Sequence, residues 1–151
     1  MMLRNILIFN PSLMAALIAW AIAQILKVVI ELIFTKKMNW ALLFQAGGMP
    51  SSHSAMVSSA ALSIGLNSGF YQPDFTVAAI FAMIVIYDAT GIRRESGRQA
   101  VLINSIIEEF SKGKIPPGEK LKEVLGHTPG EAFLGTLLGL TIGFLVYISV
   151  I

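Results

Sequence analysis

Leu13 to Phe34 reads LMAALIAWAIAQILKVVIELIF. A hydrocarbon core asks for roughly 20 predominantly apolar residues of helix, and this run meets that length. It lacks a small-residue cleavage signature and continues into a basic stop, Thr35-Lys36-Lys37. It is therefore expected to stay in the mature protein as a membrane span and not to be removed as a signal peptide. The rest of the chain agrees: of its 151 residues 55% are hydrophobic and only 13% charged, far from a soluble average. Cysteine is absent, which excludes disulfides and thiolate metal sites.

Working outward, Ala55 to Phe70 is less apolar and rich in Ala, Ser and Gly. Small side chains permit close helix packing where lipid supplies no hydrophobic drive between helices, so this segment reads as an interior helix. Phe75 to Tyr87 follows the turn-forming Gln72-Pro73-Asp74, and Ala132 to Ile151 is a long last span. Its Gly135, Gly139 and Gly143 recur every four residues, which points to a tightly packed face. Residues 88–131 form a polar loop with an amphipathic, helical stretch from Glu95 to Phe110 and the turn SKGKIPPGEK. The expected fold is all-α: a single membrane-embedded bundle over 1–151, with about four transmembrane helices near 13–35, 55–70, 75–87 and 132–151.

With four crossings, residues 36–54 and 88–131 emerge on one face. Nine basic residues then lie there (Lys36, Lys37, Arg93, Arg94, Arg98, Lys112, Lys114, Lys120 and Lys122), Arg4 stands alone opposite, and Lys27 lies within a span. The positive-inside rule puts the loop face in the cytoplasm. Lys27 is itself costly, about 2.5–3.5 kcal/mol at mid-span on insertion scales. Gln24, Lys27 and Glu31 share one helical face, which reads either as a polar stripe lining a site or as a self-neutralising Lys27–Glu31 pair. Lys27 is also near enough to the span end to snorkel.

Both histidines fall on the loop face just before spans, His53 in PSSHS and His127 in GHTPGE. A helix N-terminus offers unpaired N–H groups and the positive end of the macrodipole, so both positions suit an anion, with phosphate the natural candidate. Ser51 and Ser52 can cap the second helix or donate to phosphate oxygens, while Gly47 and Gly48 let the backbone approach closely. Either histidine alone is also explained as a helix-start residue. Glu131, four residues after His127, can reach the imidazole within one turn, fix its tautomer and leave the other nitrogen free to attack. Arg93, Arg94 and Arg98, in DATGIRRESGRQA, supply planar donors for bidentate phosphate recognition; the alternative is a basic surface that attracts anionic lipid. Asp88 can orient one guanidinium.

These residues resemble a known family. PSSHS resembles the Pro-Ser-Gly-His motif of the type-two phosphatidic acid phosphatase superfamily, which includes the vanadium-dependent haloperoxidases, and His127 with Glu131 resembles its His, three residues, Asp motif. The order GGMPSSHSA, YDATGIRRESGRQA, LGHTPGEAFLG is similar to the divergent branch of that superfamily over nearly the whole chain. The resemblance implies that His127 accepts the phosphoryl group, Glu131 orients it, and His53 protonates the leaving alcohol. Pro50 and Gly48 belong to the motif that carries His53. Three departures stand: Glu131 replaces Asp, Ser52 replaces Gly, and neither the Lys, six residues, Arg-Pro motif nor the Arg six before the nucleophile is present, that last position being Leu121. Lys27, Arg93 and Arg94 are the expected substitutes.

The expected function is hydrolysis of a lipid phosphomonoester at the cytoplasmic face, with no metal or cofactor, a phospholipid or isoprenoid phosphate as substrate, and no nucleic-acid partner. Phosphatidylglycerophosphate, phosphatidic acid and isoprenyl phosphates all qualify. A non-catalytic anionic-lipid-binding protein would use the basic loop without needing both histidines. A small transporter would place Lys27 and Glu31 on a path and show inverted repeats, and none is visible. A metal hydrolase would need ligand spacing such as HExxH, and the chain has none.

Overall fold

The computed structural model describes residues 10–44, 47–111 and 126–150, and among these there are helices and turns but no strand. Arg4, Lys112, Lys114, Lys120, Lys122, Leu121 and the turn after Ser111 lie outside the described residues. Helix α1 is Pro11–Thr35, followed by a 3-10 turn, Trp40–Leu43; α2 is Ser52–Ser68, α3 Pro73–Thr90, α4 Ile92–Ser111 and α5 Pro129–Val150.

Each helix of the bundle begins two or three residues before its apolar run, because the polar cap and an N1 proline belong to the first turn. Asn10 caps α1, its side chain accepting from the Leu13 N–H at 2.9 Å, with Pro11 at the first helical position. Pro73 and Pro129 open α3 and α5 in the same way. At the other end of α1, Lys36 takes a left-handed conformation, φ 57°, and its N–H closes on the Leu32 carbonyl.

Three stretches are long and apolar enough to cross a membrane: Pro11–Thr35, Pro73–Glu108 and Pro129–Val150. Helix α2, 17 residues long and rich in serine, is not among them, and its place in the bundle shows how such a helix is accommodated. It touches α1, α3 and α5, and it buries Ser52, Ser54, Ser58, Ser59 and Ser63 among them. A helix sheathed by three others meets little lipid, so its polarity carries a small transfer cost. The second stretch runs past the expected end at residue 87 because α4 continues from α3 across the single residue Gly91. The Gly91 N–H bonds to Tyr87 O at 2.8 Å and Gly91 O accepts from the Glu95 N–H at 3.0 Å. Helix α4 covers the stretch expected to be amphipathic and leaves Leu102 and Phe110 exposed.

Helices α2 and α5 run parallel with their small residues in register. Gly135 lies against the backbone of Ser51, Gly139 against the Ala55 carbonyl and the Ser58 hydroxyl, and Gly143 against Ser59. Across the same seam the Ser58 hydroxyl donates to Ser54 O at 2.6 Å and meets Thr136 O at 3.2 Å. The neighbouring core is built from Ala19, Ala23 and Ala55, packed by Leu138 and Ile142. Close backbone approach and dispersion contacts hold such a seam where lipid tails remove the hydrophobic drive. At the opposite end of the bundle Phe70 and Phe75 stack edge to face, centroids 5.0 Å apart, beside Gly65.

A Cβ at Gly139 would collide with backbone, whereas one at Gly130, also helical, would meet nothing within 4 Å. Gly139→Ala is expected to destabilise the protein by about 1–3 kcal/mol through forced separation of α2 and α5. Gly130→Ala is expected to be neutral or stabilising by up to about 1 kcal/mol. Unfolding of the two variants in detergent checks this, and equal stability would contradict the seam.

Candidate functional site

The N-termini of α2 and α5 meet the C-terminal ends of α1 and α3 at one end of the bundle. Thr128 is the residue before α5, and Glu131 lies three residues on. The Thr128 N–H donates to Glu131 Oε2 at 3.1 Å, and the Glu131 N–H donates back to Thr128 Oγ1 at 3.3 Å. This reciprocal pair is a capping box. The same Oε2 stands 3.0 Å from His127 Nδ1. Its role as acceptor places the proton on Nδ1 and leaves Nε2 with a lone pair.

His127 is held from behind as well. Its backbone N–H donates to Ala89 O, near the end of α3, at 3.0 Å, and its side chain is buried. Gly126 passes so close to the α3–α4 joint that a Cβ there would lie 2.8 Å from Ala89 O. Burial pushes the His127 pKa below the ordinary histidine value of 6.5; the hydrogen bond and charge of Glu131 raise it, while Lys27 and Arg93 add to the lowering. The imidazole is therefore neutral at pH 7, the form that carries a nucleophilic lone pair.

Ser51 caps α2, its hydroxyl accepting from the Ser54 N–H at 3.3 Å and the Ser54 hydroxyl at 3.0 Å. Its own N–H donates to Glu131 O at 3.0 Å, which ties the two helix starts together. Ser51 and Ser52 are both fully buried, and Ser52 Oγ accepts from Lys27 Nζ at 3.2 Å. Lys27 is 2% exposed, so it does not snorkel. Among the described residues no ion pair joins it to Glu31; the carboxylate that acts on Lys27 is Glu131. Of the two readings of the Gln24 and Lys27 face, the inward polar stripe is the one found: Gln24 Nε2 donates to Leu43 O at 2.9 Å while Lys27 reaches the start of α2. Gly48, at φ +78°, lays its backbone beside the Lys27 stem, and Pro50 is buried next to the α2 cap.

His53 sits half-buried in the first turn of α2, within the fields of Arg93, His127, Lys27 and Asp88. Arg93 Nε donates to Asp88 Oδ2 at 2.6 Å. Lys27 from α1, His53 from α2, Asp88 from α3, Arg93 from α4 and His127 with Glu131 at α5 thus come together. Arg94 does not join them. It lines a separate open cavity of about 430 Å³ with Arg98, Val101, Gly126 and Thr128. Among the described residues no group of three or more His, Asp or Glu side chains is arranged to hold a metal ion.

Sequence reasoning missed Thr128, Gly126 and Ser54. The Thr-x-x-Glu of TPGE was a readable signal for Thr128, since a capping box requires that spacing. Gly126 and Ser54 had no signal, because what fixes them is contact with distant backbone or with a neighbouring cap.

A profile of the divergent PAP2 family matches residues 8–142. The chain belongs to the divergent PAP2 family. It is also 40% identical over 145 residues to the uncharacterized membrane protein YuiD of Bacillus subtilis (strain 168), covering 89% of this chain and 92% of that one. No solved structure matches the chain. Membership bears out the resemblance seen in the three motifs, and the apolar helices make this an integral membrane protein.

Because burial lowers the His127 pKa and Glu131 raises it, the imidazole is expected to titrate below 6.5, and lower still in Glu131→Gln. Gln at this position keeps a capping box, so the helix start survives the change. Imidazole NMR shifts followed from pH 4 to 8, with His53→Gln for assignment, measure both midpoints. A rise in the Glu131→Gln midpoint would contradict the arrangement.

Proposed function

We propose that this protein is a membrane-embedded lipid-phosphate phosphatase, one functional unit over the whole chain, that works through a phosphohistidine on His127. The observation that carries the reading is the His127 Nδ1 to Glu131 contact of 3.0 Å, which presents a neutral imidazole with Nε2 available. In this mechanism Nε2 attacks phosphorus and the bond from phosphorus to the lipid alcohol oxygen breaks. His53, as imidazolium, gives its proton to that oxygen. Burial and the charges of Arg93, His127 and Lys27 push the His53 pKa below the ordinary value and Asp88 raises it, so His53 takes up its proton when the substrate dianion arrives. Neutral His53 then takes a proton from water, whose oxygen attacks the phosphohistidine, releasing phosphate and restoring His127.

Lys27 and Arg93 supply positive charge to the phosphoryl oxygens during transfer, with Asp88 orienting the Arg93 guanidinium. Ser52 steers the Lys27 ammonium, and Ser51 sets the position of the α2 start. Ser51 is fully buried beneath the start of α2, so its part is positioning, and phosphate binding falls to the backbone N–H groups of the first turn together with the cations. The excess of basic residues on this end favours a cytoplasmic orientation, where lipid phosphomonoesters newly made in the inner leaflet are the available substrates.

Purified protein is expected to release phosphate from lipid phosphomonoesters in the presence of chelator and to be inhibited by vanadate. His127→Ala should lower turnover by at least about 10³-fold and abolish acid-labile covalent phosphate, while His53→Ala should leave phosphohistidine formation slow but detectable. Full turnover in His127→Ala would overturn the mechanism. Orientation is tested separately in this cysteine-free chain. Lys37→Cys should react with an impermeant thiol reagent only after lysis, and Asp74→Cys in intact cells; the reverse pattern would place the site outside.

A further inference from the structure

The cavity lined by Arg94, Arg98, Val101, Gly126 and Thr128 has no part in the chemistry at His127, yet it is built beside it. Gly126 and Thr128 flank the nucleophile, so one wall of the cavity is the His127 loop itself. Its volume, about 430 Å³, is in the range of small-molecule sites. Arg94 and Arg98 are four residues apart on α4 and present their guanidinia on one face, where two like charges repel each other until an anion lies between them.

The partners of these arginines leave that role open. Arg94 makes no ion pair with any described residue. Arg98 is held at 3.0 Å by Glu95, an exposed pair that water screens and a phosphate can replace. Thr128 Oγ1 accepts from the Glu131 N–H, which leaves the hydroxyl proton to donate into the cavity. Val101 adds an apolar wall. Arg93, one residue before Arg94 and so about 100° around the helix, is turned instead to Asp88 and the histidines. The two adjacent arginines thus face different surroundings.

We infer that the Arg94–Arg98 cavity receives a second phosphate of the same lipid, so that the preferred substrate is a phosphomonoester carrying another phosphate group inward of the one removed. The inference rests on His127 as phosphoryl acceptor and adds the substrate class. Only the terminal phosphoryl group meets Nε2; the inner one is gripped and left intact.

The test compares phosphatidylglycerophosphate, which carries a monoester and an inner phosphodiester, with phosphatidic acid, which carries the monoester alone, in neutral detergent micelles. Wild type is expected to favour the first in kcat/KM. In the Arg94→Gln, Arg98→Gln double variant the ratio of the two kcat/KM values should fall roughly tenfold or more, mainly through KM, as expected when charge-assisted hydrogen bonds to phosphate are lost. Arg94→Lys should give a smaller fall, because charge remains and the fork is gone. An unchanged ratio overturns the inference, including the case in which the double variant only binds phosphatidylglycerol vesicles less well and the cavity serves the bilayer. Should wild type hydrolyse neither lipid nor an isoprenyl phosphate, the phosphatase reading fails by itself. Calorimetric binding of the same two lipids then decides the cavity: selective loss of phosphatidylglycerophosphate binding in the double variant upholds it, and equal binding refutes it.

Discussion

The hydrogen bond from the Ser51 N–H to the Glu131 carbonyl sets two parallel helices to begin at the same level. Everything at the candidate site depends on that alignment. Below it, the register is repeated by Gly135, Gly139 and Gly143 against Ser51, Ala55 and Ser59, so the helices cannot slide without backbone collision. Above it, two sets of unpaired N–H groups and two macrodipoles point to the same end of the bundle. Lys27 and Arg93 add charge of the same sign. Helix N-termini and cations thus surround a neutral imidazole oriented by Glu131, an arrangement suited to a transferring phosphoryl group.

Glu131 is the centre of the local accounting of polar groups. One of its oxygens accepts from the Thr128 N–H and from His127 Nδ1, and its backbone carbonyl accepts from Ser51. A glutamate three residues after a threonine is the normal partner in a capping box, which gives a structural sense to its presence where the wider superfamily has aspartate. The side chain that starts α5 is the one that orients the histidine. Helix formation and tautomer selection are thus a single event.

Most of the bundle was legible from Leu13–Phe34 and the other apolar runs, because length and hydropathy are properties of a segment by itself. Helix starts were less so: the Ser51 cap was readable from PSSHS, but Asn10 and Thr128 are polar, and an apolar window begins after them. Lys27 was undecided between Glu31 and the interior because the sequence offers a local partner at four residues, whereas Ser52 and Glu131 become neighbours only after folding. Arg93 and Arg94 looked equivalent as consecutive letters. On a helix they point in different directions, and the single residue Gly91, which sets the phase of α4, decides which of them faces the histidines.

The sheathing of α2 bears on how the protein reaches its folded state in a bilayer. Short, at 17 residues, and with five buried serines, α2 gains little from lipid and much from its neighbours. Helices α1 and α3 flank it in the chain and are made beside it, but the glycine face that fits its serine side belongs to α5, about seventy residues later. Until α5 arrives, Ser58 has no Thr136 carbonyl and Ser51 no Glu131 carbonyl to meet. Helix α5 therefore works as a keystone: its arrival secures the polar helix in the membrane and delivers His127 to His53 in the same step, so that a chain inserted only as far as α4 carries no assembled site.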